Sequence, residues 1–350
     1  MNASTSTKCD LFIRAARGER TERTPIWLMR QAGRTDPEYN RVKAESHLSL
    51  HDLFRHPQLA AQISLLPKRI GVDAIIYFQD ILTPLAPMGA EFVFSPGPML
   101  IDPIRDAFDL DRLHTFDVAT ELPFIPETFR LVRESLAGEL PVLGFAGAPF
   151  TLLTFIAEEG SFGTRADRVM RLIRDYPDVA RRVLDKLTAM TIDYLKLQIA
   201  AGAAAVQLFE SAANLITPEF YKEWALPYQQ PIFDALKNSV PTIIFARAWT
   251  NADLLRQSGA SILSLSERIG IQEARESLGQ QTVLQGNLDN TLLVHGSPEA
   301  IADAARVCVE AGGHRGHIFN LSHGLLRETP FENVVHLVHT VKSIRLTPDT

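Results

Sequence analysis

Short apolar runs recur along the chain, each closed by Gly, Pro or polar residues. They are TPIWLM (24–29), DAIIYF (73–78), PVLGFAG (141–147), AAVQLFE (204–210), PTIIFAR (241–247), SILSLS (261–266), TVLQGN (282–287) and HIFNLS (317–322). None alternates strictly between apolar and polar, as expected of parallel strands buried on both faces. Helical patterns fill the intervals. In the stretch 177–202, Val179, Val183, Leu187, Tyr194 and Ile199 fall near one stripe, with Arg181, Arg182, Asp185 and Lys196 elsewhere. Pro177 sits where a first helical turn tolerates it, and Gly202 follows the end.

Eight strands alternating with helices predict an α/β fold, a single (β/α)8 TIM-type barrel. A doubly wound open sheet is the alternative, but no GxGxxG follows the first run. The stretch 84–140 is long for one crossover and predicts a long insertion between the second and third strands. Within it, EFVFSPGPMLIDPI reads as a β-hairpin and LPFIPETFRLVRESLAG as a helix. No linker, repeat or low-complexity tract interrupts the pattern. One barrel domain is expected over 10–346, behind an extended or disordered tail at 1–9.

Composition narrows the function classes. Of 350 residues, 46% are hydrophobic and 22% charged, an ordinary globular balance. A net charge of -6 gives no reason to expect nucleic acid or an anionic membrane as partner. An anionic ligand must then be held by a local cluster. The 27 Arg outnumber the 8 Lys, but most lie on helical stretches and read as solvated faces. Cys9 and Cys308 are the only cysteines, too few and too distant for a disulfide framework or a zinc signature. The start MNASTSTKCD has no apolar core of a signal peptide, and no stretch is long enough to span a bilayer. A cytoplasmic location is expected.

In barrels of this kind the chemistry sits at the C-terminal ends of the strands. The first run leads into Arg30, Gln31 and Arg34, the second into Asp80. The fourth ends in Glu210 and Ser211, the fifth at Arg247, and the seventh gives Gln285 and Asn287. The eighth gives Asn320, Ser322 and His323, followed by Gly324. No Lys occupies any of these ends, which argues against Schiff-base or pyridoxal chemistry. His336 with His339, and His47 with His51, have spacings a metal can use, but neither pair has a third ligand nearby.

Each candidate also has a plain structural reading. Arg30 could cap carbonyls, and Asp80 could cap a helix, since DILTP follows it. Ser211 could be another cap, Glu210 a partner for Arg247, and His323 a satisfied core histidine. Two guanidiniums on one short loop repel unless an anion bridges them, which favours a binding role for Arg30 and Arg34.

These residues also carry a resemblance. LFIRAARGERTERTPIWLMRQAGR resembles the N-terminal signature of the uroporphyrinogen decarboxylase family. DAIIYFQDIL, GFAGAPFTLLTF, QLFES, ALPY, IIFA, LQGNLD and NLSHGLL follow in that family's order, so the likeness spans about residues 10 to 345. The resemblance implies a (β/α)8 barrel and a cofactor-free homodimer with facing clefts. The implied reaction removes CO2 from the four acetate side chains of uroporphyrinogen III, giving coproporphyrinogen III for haem or chlorophyll synthesis. It assigns Arg30, Gln31, Ala32, Gly33 and Arg34 to a substrate-binding loop and Asp80 to a central carboxylate facing the pyrrole nitrogens. Phe155, Phe209, Ser211 and His323 are implied as further substrate contacts. The implied catalytic set is Asp80, Arg30, Arg34 and His323.

The chemistry explains the residue types. Losing CO2 leaves an electron pair, and a pyrrole protonated on carbon can accept it. A carboxylate at Asp80 strengthens its N–H hydrogen bonds as the ring turns cationic. It must stay ionised, and Arg30 or Arg34 nearby is expected to lower its pKa. Each buried charge-assisted contact from an arginine to a substrate acid contributes on the order of 1.5–3 kcal/mol. Arg30 could orient the proton source through water, and His323 could bind a propionate or assist reprotonation.

Departures cluster near the same strand ends. Phe155 stands where the family usually has Tyr, and Thr35 and Asp36 where it usually has an aromatic or Ser and then Leu. Ala212–Asn214 lack the usual aromatic or His and the Gly. Ser266 replaces an expected Asp, and Asn290 an expected Pro. They motivate a second reading, a non-catalytic tetrapyrrole-binding paralogue. A corrinoid-linked methyltransferase of the same fold needs zinc on His-x-Cys after a late strand plus a distant Cys. Here the fifth run ends FARAW, and Cys308 falls within a helix.

Overall fold

The computed structural model describes residues 10–94, 97–102, 109–110 and 112–345. The expected tail at 1–9 and the last residue of the expected domain lie outside the described residues. Seven of the eight apolar runs form one parallel sheet. Its strands are β1 (Ile75–Ile76), β4 (Val142–Gly147), β5 (Ala205–Glu210), β6 (Thr242–Ala246), β7 (Ile262–Ser264), β8 (Val283–Gln285) and β9 (His317–Ile318). They lie in that order, each neighbour parallel. Between β1 and β4 the expected hairpin forms from β2 (Phe92–Phe94) and β3 (Pro98–Leu100), with Val93 opposite Met99.

The sheet curls. The Gln285 amide on β8 donates across the concave face to Gln207 Oε1 on β5 (2.9 Å) and to Ser264 Oγ (3.0 Å). Trp27 Nε1 donates to Gln285 Oε1 (3.0 Å), so the first run reaches the same interior. All four side chains are buried, and each amide bond satisfies a group that would otherwise be desolvated without compensation.

The closed eight-stranded sheet expected from the sequence is not formed. The run 24–29 touches both free edges without becoming a strand. Ile26 bridges Phe319 in parallel, beyond β9, and its carbonyl accepts from Asp73 N, before β1 (2.7 Å). The physical reason is where its N–H groups go. Pro25 has none. Ile26 N donates to Asp73 Oδ2 (2.9 Å), Leu28 N to Gln31 Oε1 (3.0 Å) and Met29 N to Asn320 Oδ1 (3.1 Å). Side chains take bonds that a strand neighbour would otherwise accept. Arg23 closes the seam by gripping Asp73 with both nitrogens (2.6 Å each).

Helices cover the outer face. The longest, Pro177–Ala200, buries Val183, Leu187 and Tyr194 and leaves Arg181, Arg182, Asp185 and Lys196 exposed, as the stripe predicts. Several start with a side-chain cap followed by Pro, as in Asp36–Pro37, Thr217–Pro218 and Ser297–Pro298. The main core fills the sheet and its inner helix faces. A smaller cluster of Tyr39, Val42, Leu53, Phe54, Ala60, Ile63 and Phe78 packs against Ala32 of the loop 30–36.

Candidate active site

The arginine loop is held from both sides. Gln31 spends both ends of its amide on structure, Oε1 on Leu28 N and Nε2 on the Ala74 carbonyl (3.0 Å each). Leu325 N donates to the Met29 carbonyl (3.0 Å). Arg30 between them has φ 63, a left-handed conformation that costs a side-chain-bearing residue about 1 kcal/mol or more. That turn lays the Arg30 side chain over Gly324, where an added Cβ would lie 2.5 Å from Arg30 Cδ. Only glycine beside His323 permits this arrangement. Gly33 closes the loop through Asp36 N to its carbonyl (2.9 Å). Arg34 is exposed, its carbonyl held by Asn40 Nδ2 (2.9 Å).

Arg30 is reached by solvent, yet its side chain lies against Gly324 in protein surroundings. Burial lowers its pKa, and the charges of Arg247 and Arg34 lower it further. His323 is pushed down to about 4 by burial, then by Arg30 and Arg247, with the Gly324 backbone opposing. The structure thus gathers Arg30, Arg34, Arg247 and His323 in one field. Among the described residues no carboxylate forms an ion pair with any of the three arginines. Glu210 is not the partner of Arg247. They share only a backbone bond, Arg247 N to Glu210 O (3.1 Å).

Asp80 lies apart from that group. Its Oδ1 accepts from Leu82 N and from Thr83 N (2.7 Å), and its Oδ2 from Thr83 Oγ1 (2.9 Å). It therefore caps the turn that leads into Thr83–Leu85. The expectation that Arg30 or Arg34 lowers its pKa fails. Burial raises that pKa; the Thr83 and Leu82 hydrogen bonds oppose it, and among the described residues the guanidinium that acts on it is Arg55. Asp80 and Arg55 line a small cavity with His51, Leu82, Thr83, Ala86, Phe92 and Phe94. Phe155 packs edge-on against Phe92 of that wall (6.4 Å) and against Phe162 (4.7 Å).

Aromatic rings line the other side. Phe209 meets Phe145 at 5.6 Å and Phe245 at 5.5 Å, and Phe245 meets His323 at 5.9 Å. Two residues beyond Phe209, just past the end of β5, is half-buried Ser211. Its hydroxyl has no hydrogen-bond partner among the described residues, so it is not serving as a cap. Glu210 beneath it is buried, accepting from Thr151 Oγ1 and Gln229 Nε2 (3.1 Å), and burial lifts its pKa to about 7. From the sequence, Glu210 could be a structural partner for Arg247, the residue that ends the fifth run. The position of Arg247 two residues past an interior Phe was the available signal.

The departures have local explanations. Asp36 is buried, caps the helix Pro37–Ser46 through Glu38 N (2.8 Å) and is gripped by both nitrogens of Arg69. Ser266 Oγ donates to the Trp249 carbonyl (2.6 Å). Asn290 Nδ2 donates to the Gly324 carbonyl (2.9 Å) and so braces the turn beside His323. His336 is spent on the Pro298 carbonyl (2.9 Å) and His51 on Arg55. Among the described residues no group of three His, Cys, Asp or Glu is placed to hold a metal ion. No helix among them is long and apolar enough to cross a membrane.

The chain is similar to known proteins over nearly its whole length. A family model described as uroporphyrinogen decarboxylase (URO-D) matches residues 7–344. A protein named uroporphyrinogen decarboxylase from Geobacter sulfurreducens is 38% identical over 333 residues, 94% of this chain and 97% of the relative. One of the same name from Chloroherpeton thalassium is 42% identical over 347 residues, 96% of this chain and 97% of the relative. Among solved structures, a methyltransferase from Methanosarcina mazei superposes with a TM-score of 0.79 at 20% identity, covering 96% of this chain and 98% of that one. That likeness shows a shared fold.

Proposed function

The chain belongs to the uroporphyrinogen decarboxylase family, and on that premise we propose that it removes CO2 from the four acetate side chains of uroporphyrinogen III, giving coproporphyrinogen III in tetrapyrrole biosynthesis. The observation that carries this reading is the gathering of Arg30, Arg34, Arg247 and His323 at one rim with no acidic partner among the described residues. Such a cluster is a receptor for a polycarboxylate. In this reading the run 24–29 completes a closed (β/α)8 barrel over 10–346, seamed by side chains, and two copies pair with their clefts facing.

The roles follow from chemistry. Arg30 and Arg34 bind acetates and propionates. His323, neutral above about pH 4 in the free site, becomes easier to protonate once carboxylates offset Arg30 and Arg247. It then serves as a propionate contact or a proton donor to the new methyl. Asp80 faces the pyrrole N–H groups through Oδ2, the oxygen with one protein donor against two on Oδ1. A ring protonated on carbon accepts the electron pair from the broken C–CO2 bond, and its positive charge draws the Asp80 pKa down as it forms. Phe155, Phe209 and Phe245 supply apolar walls for the macrocycle, and the Ser211 hydroxyl is free to bind one acid.

The test is direct. Purified protein is mixed with uroporphyrinogen under reducing, dark conditions, and the carboxylates on the product are counted. Four fewer per macrocycle is the expected outcome. Tight binding of an unchanged eight-carboxylate substrate would establish the non-catalytic reading instead.

A further inference from the structure

Strand β6 brings a residue to the rim that the family-implied set does not include. Side chains two apart on a strand share a face, so Ile243, Phe245 and Arg247 point the same way. That face is the concave one, because Phe245 meets both Phe209 and His323 there. The ladder continues to Arg247 through its N–H to the Glu210 carbonyl (3.1 Å). Arg247 is half-buried and makes no side-chain hydrogen bond or ion pair among the described residues. Its charge depresses the pKa of both Arg30 and His323, so it stands close enough to act on both.

Its place in the sheet matters. Counting from the 24–29 run through β1, β4 and β5, or through β9, β8 and β7, β6 is fourth in either direction. Arg247 therefore comes from the strand farthest in the sheet from the run that leads into Arg30. A macrocycle with acids around its whole edge needs cations on opposite sides, and a one-sided pair would leave the far acids to solvent. A half-buried guanidinium with no acidic partner among the described residues is available to an anion.

We infer that Arg247 is a third carboxylate-binding residue, gripping an acidic side chain of the substrate from the rim opposite the Arg30–Arg34 loop. This rests on the decarboxylase reading above. The contact holds an acid that is not lost in that turnover, so it binds ground state and transition state alike.

The test is steady-state kinetics of Arg247→Gln and Arg247→Lys on uroporphyrinogen, with product carboxylates resolved by chromatography. Arg247→Gln is expected to raise KM roughly tenfold or more with kcat within about threefold. Arg247→Lys keeps the charge but loses the fork, and recovers part of that rise. An equal penalty at every decarboxylation step identifies a propionate as the contact, and a penalty confined to early steps identifies an acetate. A wild-type KM in a folded Arg247→Gln protein overturns the inference. Should the wild-type protein fail to turn over, the decarboxylase reading falls, and binding of oxidised uroporphyrin followed by tryptophan fluorescence decides this one. Equal affinity of wild type and Arg247→Gln overturns it, and at least tenfold weaker binding by the variant supports it.

Discussion

Asp80 shows how one side chain can hold a turn and still leave an oxygen lightly engaged. Oδ1 takes two backbone N–H groups and fixes the turn; Oδ2 takes a single hydroxyl. In the Asp80→Asn variant an amide oxygen can still accept from Leu82 N and Thr83 N. The NH2 then faces the pyrrole donors and cannot stabilise a cationic ring. The variant is expected to fold normally and to lose on the order of a hundredfold or more in kcat, with KM changing less. Near-normal kcat would leave Asp80 as a turn cap alone. The sequence made both readings available at this residue but misjudged its electrostatics, because Arg55 lies 25 positions away in sequence and only folding brings it to Asp80.

At the scale of elements, the loop 30–36 is positioned by a pair the resemblance did not supply. Asp36, where the family usually has Leu, is buried against Arg69 and also caps the helix that follows. Arg69 in turn lies over the Phe331 ring at 4.9 Å. Removing the carboxylate with Asp36→Ala costs the cap and the pair together. About 2–4 kcal/mol of stability is expected to go, less than for a fully buried pair because Arg69 stays partly solvated. KM for uroporphyrinogen should rise as the arginines lose their anchor, and Arg69→Ala added to Asp36→Ala should cost little more. Additive losses in a double-mutant cycle would show that the two side chains are not coupled.

The hairpin and the long helix were legible as elements because their patterns are local: a turn sequence between short apolar segments, and a stripe of apolar residues over a charged face. The first run was not. Only Trp27 N among its bonded N–H groups reaches a strand neighbour, the Phe319 carbonyl; the others go to the side chains of Asp73, Gln31 and Asn320, two of which lie 47 and 291 residues away. A strand that is satisfied by side chains looks, in sequence, the same as one satisfied by a neighbour.

The whole molecule carries buried groups whose titration opposes one another. Burial depresses His317 and His323 to about 4 from 6.5. Between those values the unfolded chain binds protons that the folded one does not, so stability falls as pH drops from 6.5 through 4. Glu210, raised from 4.5 to about 7, acts in reverse. Its contribution is full below 4.5 and is lost as pH rises through 7. Glu210→Gln should therefore steepen the acid loss. Relative to wild type, the variant should gain roughly 2–4 kcal/mol between pH 4.5 and 8, read from denaturant midpoints at each pH. A constant difference across that range would mean that Glu210 titrates normally.

The sequence by itself determined the parallel α/β layering, the hairpin insertion, the strand-end inventory and the family, because apolar periodicity, turn residues and motif order are local properties of the chain. Tertiary structure alone decided that Arg247 acts on Arg30 and His323, that Asp80 answers to Arg55, and that the first run seams the sheet largely through side chains. Those are distances between residues remote in the chain, and charge, desolvation and hydrogen-bond choice depend on distance in space.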